Sequence, residues 1–464
     1  MIRLFNHYLS VRLLLLTGLE ALALFVSVLL AFQLRIPAPE VVLPTLEATV
    51  FTTVMLGTMS AMGLYQPDGE PFRTTTHRVL IALALSVPLV SLVFYLFPDT
   101  RIGRGVLTWS VIFALASLLL IRMVFFRLTE IGLPKRRVLV VGNGPDAEAL
   151  IRYLQRRAHH RTLRYAGLYP VLPQPGADTE PHPPGAPSLR IDHESLHRTV
   201  DTLKVSEIVI AVRERRGGVL PLRQLLDSKL RGIRVLDLQS FYERECGLLQ
   251  LDTMRASWLI FSNGFDQGLT RDVVKRLFDL VVALLLIAIT LPVLALAMLA
   301  VALDSGLPIF YTQERVGAGG RRFHIIKLRT MRTDAEADGT PRWANRNDHR
   351  ITRVGAFLRR TRIDELPQLW NVLRGDMSFV GPRPERPYFV AQLIEQIPFY
   401  DVRHSLKPGV TGWAQVRYTY GATVEDGLEK LQYDLYYVKN HSLFLDLVIL
   451  LETAQVVILG KGVR

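Results

Sequence analysis

Residues 361–384 bring an acidic pair, a short helical pattern and a proline-flanked arginine into one run. Asp364 and Glu365 are followed by Pro367 and, after an apolar stretch, by Gly375. That order predicts a helix with Asp364 as its N-cap, Pro367 tolerated in the first turn and Gly375 as the stop. A carboxylate placed there lies beside free backbone N–H groups, which keep it ionised and also attract phosphate. Arg383 stands between Pro382 and Pro384. Its partly prefixed backbone lets the guanidinium present a planar fork to phosphate at low ordering cost. The chemistry indicated is phosphate handling. An isolated Asp-Glu pair also marks many solvated helix starts, so the surrounding elements decide.

The chain has 464 residues, room for two or three domains. Its apolar residues are gathered into long uncharged blocks, which places part of it in lipid. The net charge of +13, mostly arginine, suits anionic lipid or anionic substrates, and much of it serves to anchor membrane segments. Cys246 is the single cysteine, so the chain has no intramolecular disulfide or cysteine-based zinc site, and a reducing compartment is expected.

Four apolar blocks, near 13–35, 48–64, 79–97 and 106–121, read as retained membrane helices. Arg3 and Arg12 precede the first, Arg73 and Arg78 separate the second from the third, and Lys135, Arg136 and Arg137 follow the fourth. The other two loops, with Glu40 and Glu47 in one and Asp99, Arg101 and Arg104 in the other, are weaker in positive charge. Both ends of the unit are therefore expected in the cytoplasm. Glu20 lies inside the first block; it is either functional or a carboxyl hydrogen-bonded to another helix.

From Arg137 a buried strand pattern, 138–141, runs into Gly142-Asn143-Gly144-Pro145-Asp146-Ala147 and a helical run. Strand, glycine turn and helix form the phosphate-facing start of a doubly wound α/β domain. Further strands are expected at 165–169, 207–212 and 233–238, giving a Rossmann-like parallel sheet. No acidic residue follows 165–169 where a ribose would need one, so the sheet serves either a nucleotide or structure and regulation. Residues 170–188 are rich in proline and glycine and read as a mobile excursion.

Residues 280–303 contain no charge and are long enough to cross a bilayer. Both flanks, however, are basic: Arg271, Lys275 and Arg276 before, Arg315, Arg321, Arg322, Lys327 and Arg329 after. Pro292 lies at the middle and favours a kink. The expectation is a re-entrant helix-break-helix at 277–303 with its break at Pro292, Thr290 or packed protein satisfying the freed backbone; the alternative is a spanning helix with a proline kink.

After this segment come Gln313-Glu314-Arg315-Val316-Gly317, Phe323-His324-Ile325-Ile326-Lys327-Leu328-Arg329-Thr330-Met331, the acidic run, and Lys407-Pro408-Gly409-Val410-Thr411-Gly412-Trp413-Ala414-Gln415-Val416. In this order they resemble the bacterial polyprenyl-phosphate sugar-1-phosphate transferases, the monotopic phosphoglycosyl transferases, from about Arg271 onward. The four spans and α/β domain ahead of them resemble the large members that start exopolysaccharide or O-antigen units. Ile2-Arg3-Leu4-Phe5-Asn6-His7-Tyr8 is similar to the branch tied to EpsB-like systems.

The resemblance implies transfer of a sugar phosphate from a UDP-sugar to undecaprenyl phosphate, with Mg²⁺ and release of UMP, at the cytoplasmic face of the bacterial inner membrane. It makes Asp364 the nucleophile of a covalent phospho-sugar enzyme and Glu365 its partner, at the metal or as a base. Membrane lipids are implied partners and nucleic acid is not; large members suggest a homodimer. Carboxylates do attack phosphorus, and magnesium takes one or two carboxylates plus substrate phosphate oxygens. Arg359 matches the family's basic position before the nucleophile. Residually, Arg353, Arg359, Arg360 and Arg362 also read as the basic face of a helix on anionic lipid.

Lys327 and Arg329 alternate with Ile326 and Leu328, as on one strand face aimed at a charged ligand or on a solvated edge. His324, His349 and His404 have no ligand spacing and read as packing or surface residues. Residues 443–459 read as a packed or interfacial helix. The expected organisation is a membrane protein of α plus α/β class: four transmembrane helices in 1–130, a Rossmann-like domain in 136–245 and a re-entrant-helix catalytic domain in 268–464.

Two other classes compete. A membrane-bound nucleotide-sugar epimerase or dehydratase would use a Tyr-x-x-x-Lys pair, and no lysine has a tyrosine four residues earlier. A non-catalytic scaffold of polysaccharide assembly would have no need for Asp364, Glu365, Arg383 and Lys327 together.

Overall fold

The computed structural model describes residues 1–35, 44–65, 72–98, 102–131, 135–156, 163–171, 196–212, 220–254, 256–265, 268–332, 348, 350–418 and 423–459. His349, Glu40, Asp99, Arg101 and all of the 170–188 stretch after Val171 lie outside them.

A short hairpin, β1 (Ile2–Leu4) and β2 (His7–Leu9), precedes four helices: α1 (Val11–Arg35), α2 (Thr45–Ala61), α3 (Phe72–Leu96) and α4 (Arg104–Ile131). Each turns a stripe inward, with Leu24 and Val28, Phe51 and Met55, Val79 and Val90, and Ala114 and Leu118 forming one core. Leu19, Leu22, Leu92 and Leu120 remain exposed on the outside. An apolar outer face around an apolar core is what a helix bundle presents to lipid. Helices α1, α3 and α4 are long and apolar enough to cross a membrane; α2, at 17 residues or about 26 Å, is shorter.

Helix α4 continues past the end expected at 121, which places Arg122 inside it. Arg122 Nε lies 2.7 Å from Glu20 Oε1 and Nη2 donates to Oε2 at 3.0 Å, while the Tyr65 hydroxyl donates to Oε2 at 2.6 Å. Glu20 thus faces another helix, and its partner there is a cation.

The α/β unit comprises β3 (Arg136–Val141), α5 (Pro145–Arg156), β4 (Leu163–Tyr169), α6 (Leu196–Thr202), β5 (Glu207–Ile210), α7 (Leu222–Leu230), β6 (Arg234–Asp237) and α8 (Leu238–Cys246). Its strands form a parallel sheet in the order β4-β3-β5-β6. Alternate side chains of β3 feed two cores: Val138 and Val140 pack with Leu150 and Phe241, Leu139 and Val141 with Leu196 and Ile208. Gly142 is needed at the turn because its φ is +152° and a Cβ would come within 2.2 Å of Ala211 O. The side chain of Asn143 exchanges hydrogen bonds with the backbone of Val171, closing the turn onto the segment after β4.

The last unit follows α9 (Ala256–Phe261). It contains α10 (Leu269–Ser305), β7 (Phe310–Val316), β8 (Arg322–Leu328), α11 (Arg353–Thr361), α12 (Gln368–Arg374), β9 (Ser378–Val380), α13 (Pro387–Gln396), β10 (Gly409–Thr411), α14 (Trp413–Arg417), α15 (Val424–Asn440) and α16 (Leu443–Leu459). Strands β7 and β8 pair antiparallel, β9 and β10 parallel.

Helix α10 corrects one expectation. It runs unbroken through Pro292, where two helices separated by a break were expected. A proline removes one backbone hydrogen bond, and the other turns of a 37-residue helix carry it through. Thr290 Oγ1 donates to Leu286 O at 2.6 Å, a bond back into its own turn and not to the carbonyl that Pro292 leaves free. The first half packs through Ala283 into the core of Leu369, Val372, Met377 and Leu435; the second half packs Ala297 and Val301 against Leu328 and Leu358. Leu285, Ile289, Leu296, Leu299 and Leu303 stay exposed.

Both ends of α10 are tied to the same unit. Arg276 donates to Val372 O at 2.5 Å and Leu373 O at 2.7 Å, at the end of α12. Arg329, just past β8, donates to Ser305 O at 2.6 Å and Gly306 O at 2.7 Å, at the end of α10. Helix α16 is packed: its Asp446 is buried against Lys275 at 2.8 Å, and Gln455 lies against Gly63, just beyond α2.

Candidate active site

The acidic pair sits between two helices and belongs to neither. Thr352 caps α11, its Oγ1 accepting from Gly355 N at 2.9 Å. Gly355 packs directly on Thr330, where a Cβ would meet the carbonyl oxygen at 2.1 Å, and so fixes α11 beside the end of β8. Arg362 then takes the left-handed conformation at φ +60°, a local strain of the kind found at functional turns. Ile363–Glu365 form a 3₁₀ turn, and α12 begins only at Gln368, with Pro367 as its N-cap residue. Asp364 is therefore not the N-cap that the sequence pattern predicted. Proline lacks a donor and fits best at the helix start, so α12 begins there and leaves the acids in a separate turn.

This alters the electrostatics of Asp364. Its Oδ1 is buried without a hydrogen-bond partner among the described residues. Burial, then the neighbouring Glu365 charge, push its pKa up to about 6, against the pull of Lys327, Arg359 and Arg362. The ionised form still prevails about tenfold at pH 7. It does so against desolvation and without the helix amides expected to support it.

Glu365 is held in the opposite way. Burial opposes its charge, but Lys327, Arg383 and Arg362 outweigh burial and keep the carboxyl well below the usual range. Lys327 Nζ donates to Oε1 at 2.9 Å, Arg383 Nη2 donates to the same oxygen at 3.2 Å, and Arg362 Nη1 lies 3.8 Å from Oε2. Lys327 is aimed there because Asn371 fastens α12 to β8: Ile326 N donates to its Oδ1 at 3.1 Å, and its Nδ2 donates to His324 O at 2.8 Å.

The loop bearing Arg383 is fixed through its own carbonyls. Pro382 O accepts from Gly409 N at 2.9 Å, Arg383 O from Arg403 Nη2 at 2.9 Å, and Pro384 O from Arg315 Nη1 at 3.1 Å. Arg403 is itself held by Asp434 Oδ2, at 3.0 Å from Nε and 2.7 Å from Nη2. Gly381 admits this close crossing, since a Cβ would lie 2.3 Å from Lys407 O.

Of the remaining expected phosphate contacts, Arg359 approaches closely enough for its charge to act on Asp364, and its buried Nη1 has no partner among the described residues. Arg329 departs from expectation. The strand ends at Leu328, and the guanidinium turns to the carboxyl end of α10 instead of joining Lys327. His324 is exposed; His404 packs against Tyr400, and burial with the Arg403 charge holds it at about 4. The orphaned Asp364 Oδ1 and the adjacent Glu365 form a donor set that fits a hard divalent cation sharing its shell with phosphate oxygens.

A family profile described as bacterial sugar transferase matches residues 270–460, the stretch that contains every one of these groups. A UDP-glucose:undecaprenyl-phosphate glucose-1-phosphate transferase of Xanthomonas campestris is 34% identical over 342 residues, covering 71% of this chain and 68% of the relative. The chain belongs to the bacterial sugar transferases.

This bacterial sugar transferase is also similar to a UDP-galactose-lipid carrier transferase of Erwinia amylovora, 32% identical over 71% of the chain and 69% of the relative. It is 44% identical over 191 residues to a UDP-N-acetylgalactosamine-undecaprenyl-phosphate N-acetylgalactosaminephosphotransferase of Aeromonas hydrophila, a match spanning 41% of the chain and only 45% of that protein. Within the transferase unit, sequence reasoning missed Asn371, Arg403 and Asp434, and read Arg315 only as a flanking charge and part of a motif. Their partners lie 20 to 69 positions away, beyond the reach of any local pattern.

Proposed function

We propose that the chain transfers a sugar 1-phosphate from a UDP-sugar to undecaprenyl phosphate, giving undecaprenyl-diphosphate-sugar and UMP, as the first step of exopolysaccharide or O-antigen assembly. The observation that carries this reading is the buried Asp364 oxygen, unpartnered among the described residues, beside a glutamate locked among cations. An Asp364 oxygen attacks the sugar-bearing phosphorus; the bond to the UMP oxygen breaks, and UMP leaves with the electron pair. An oxygen of the lipid phosphate then attacks the same phosphorus and returns Asp364 as carboxylate. Arg383, Arg359 and Lys327 hold phosphate oxygens through both displacements, and Glu365 keeps Lys327 and Arg383 in place. Mg²⁺, held by Asp364 and Glu365, would supply charge neutralisation at the phosphates.

The same reading puts the unit at the cytoplasmic face of the bacterial inner membrane, with the continuous α10 bending at Pro292 so that both its ends return to one leaflet surface. Arg276 and Arg329 anchor opposite ends of α10 to one polar body, which Asn371 joins internally, and such a body does not straddle a bilayer. A scaffold reading is not favoured, since it leaves the four-cation, two-carboxylate cluster without a purpose.

The test is UMP release by purified protein given undecaprenyl phosphate and UDP-glucose, UDP-galactose or UDP-N-acetylgalactosamine. Activity with one donor, lost in Asp364→Asn, is expected; equal release by both proteins removes Asp364 from the mechanism. Donor alone should leave a sugar phosphate on Asp364 detectable by peptide mass spectrometry, and a single-displacement enzyme would leave none.

A further inference from the structure

The first nine residues make contacts that the transferase reading does not use. His7 is buried, its Nδ1 2.8 Å from the Tyr436 hydroxyl and its ring edge-on to Trp413. Trp413 in turn stacks on Tyr436 at 5.8 Å between centroids. Arg3 Nη2 donates to Asn440 Oδ1 at 3.4 Å, and Ser442 Oγ donates to Phe5 O at 3.1 Å. The hairpin preceding the first membrane helix is thus seated on α15 and on Trp413, the first residue of α14, two positions past β10.

Helix α15 and strand β10 hold the Arg383 loop. On α15, Asp434 grips Arg403, which donates to Arg383 O, and the Tyr437 hydroxyl lies 3.0 Å from Val380 O. Strand β10, ending two residues before Trp413, pairs with β9, which leads into Gly381 and Arg383. Along a helix, positions 434 and 437 share one face while 436 and 440 share a neighbouring one. Helix α15 is therefore clasped on one side by the hairpin and braces the phosphate-facing arginine on the other. Burial, then the Arg417 charge, keep the His7 ring neutral with a pKa of about 4, so the contact with Tyr436 is a neutral hydrogen bond at physiological pH.

We propose that the N-terminal hairpin, through His7, is a positioning element of the active site: it sets α15 and Trp413 so that the Arg383 guanidinium meets Glu365 and the donor phosphate. The inference rests on the proposed role of Arg383. Orientation of the first membrane helix is thereby linked to the chemistry, with His7 touching no substrate.

The test uses the full chain in lipid nanodiscs and single-turnover UMP release with the UDP-hexose that turns over best. His7→Phe keeps a ring between Trp413 and Tyr436 but removes the nitrogen; Tyr436→Phe removes the hydroxyl. Each should slow UMP release about fivefold, with the double variant no slower than either, because both delete one hydrogen bond. In an Arg383→Lys background, His7→Phe should cost less than about twofold, since the guanidinium it positions is gone. A merely structural His7 would give the same fivefold loss in both backgrounds together with a lower melting temperature, and that result overturns the proposal. A wild-type rate for His7→Phe beside a slow Arg383→Lys also overturns it while leaving the arginine's role intact. A wild-type rate for Arg383→Lys removes that role and the positioning inference with it.

Discussion

Two of the glutamates that the fold sets against cations, Glu20 and Glu365, show opposite results. In the membrane bundle Glu20 meets one arginine and one tyrosine, and its charge is matched inside a closed core. In the transferase unit Glu365 meets Lys327, Arg362 and Arg383, while its neighbour Asp364 keeps a buried oxygen with no hydrogen bond among the described residues. Four cationic side chains surround two carboxylates there, counting Arg359. A matched pair specifies how helices sit together, whereas an unmatched cluster has affinity to spare for a phosphate.

The contrast predicts a ranked set of effects. Asp364→Asn should lower UMP release at least about 10³-fold, since an amide is no nucleophile, yet leave the melting temperature equal or higher because a buried, unpartnered charge is gone. A lowered melting temperature would mean that the aspartate is structural after all. Glu365→Gln should cost about 10²-fold, through cations that lose their common anchor. An equal loss in Lys327→Met with no further loss in the double variant would fit one shared unit, and multiplied losses would separate them.

Glu20→Leu should instead act on folding. Leaving Arg122 buried alone costs about 3–5 kcal/mol in thermal or denaturant unfolding, most of it recovered by adding Arg122→Leu. UMP release per folded molecule should stay within about twofold, and a larger catalytic loss would erase the distinction drawn here. The smallest effect is that of pH. With Asp364 raised to about 6, donor-only UMP release should fall about tenfold from pH 7 to pH 5 as the nucleophile is protonated. Because the folded-state pKa lies above the unfolded one, the same group favours the folded state below the unfolded pKa of 3.8, and this contribution is lost as pH rises toward 6. A flat rate profile across this range would place the nucleophile in a polar, well-solvated setting like an ordinary aspartate.

The legible parts of the chain were those whose signals are local. Strand, glycine turn and helix at 138–154, the apolar helices and the order of motifs after Arg271 all follow from spacing within a few residues. The start of α12 was misplaced because Asp364 and Pro367 both suit a helix beginning, and the left-handed turn at Arg362 that separates them has no glycine to announce it. The direction of Arg329 is not legible because alternation on β8 says where a side chain leaves the strand, and the carbonyls of α10 determine where its Nη2 ends. Arg122 escapes a reading by uncharged blocks, since the fourth block stops at 121, although the internal Glu20 supplies its partner.

Helix α10 carries one practical consequence. It supplies a wall to two separate cores, holds one end of α12 through Arg276, and receives Phe379 N on Asp279 at 3.2 Å, one residue before the strand end that leads to Arg383. Trimming it away to obtain a water-soluble catalytic fragment would open both of those cores along with removing the greasy surface. Purification and inhibitor screening will therefore depend on detergent or nanodiscs, and a soluble variant will have to come from recoding the outward side chains of that helix while its inward ones are kept.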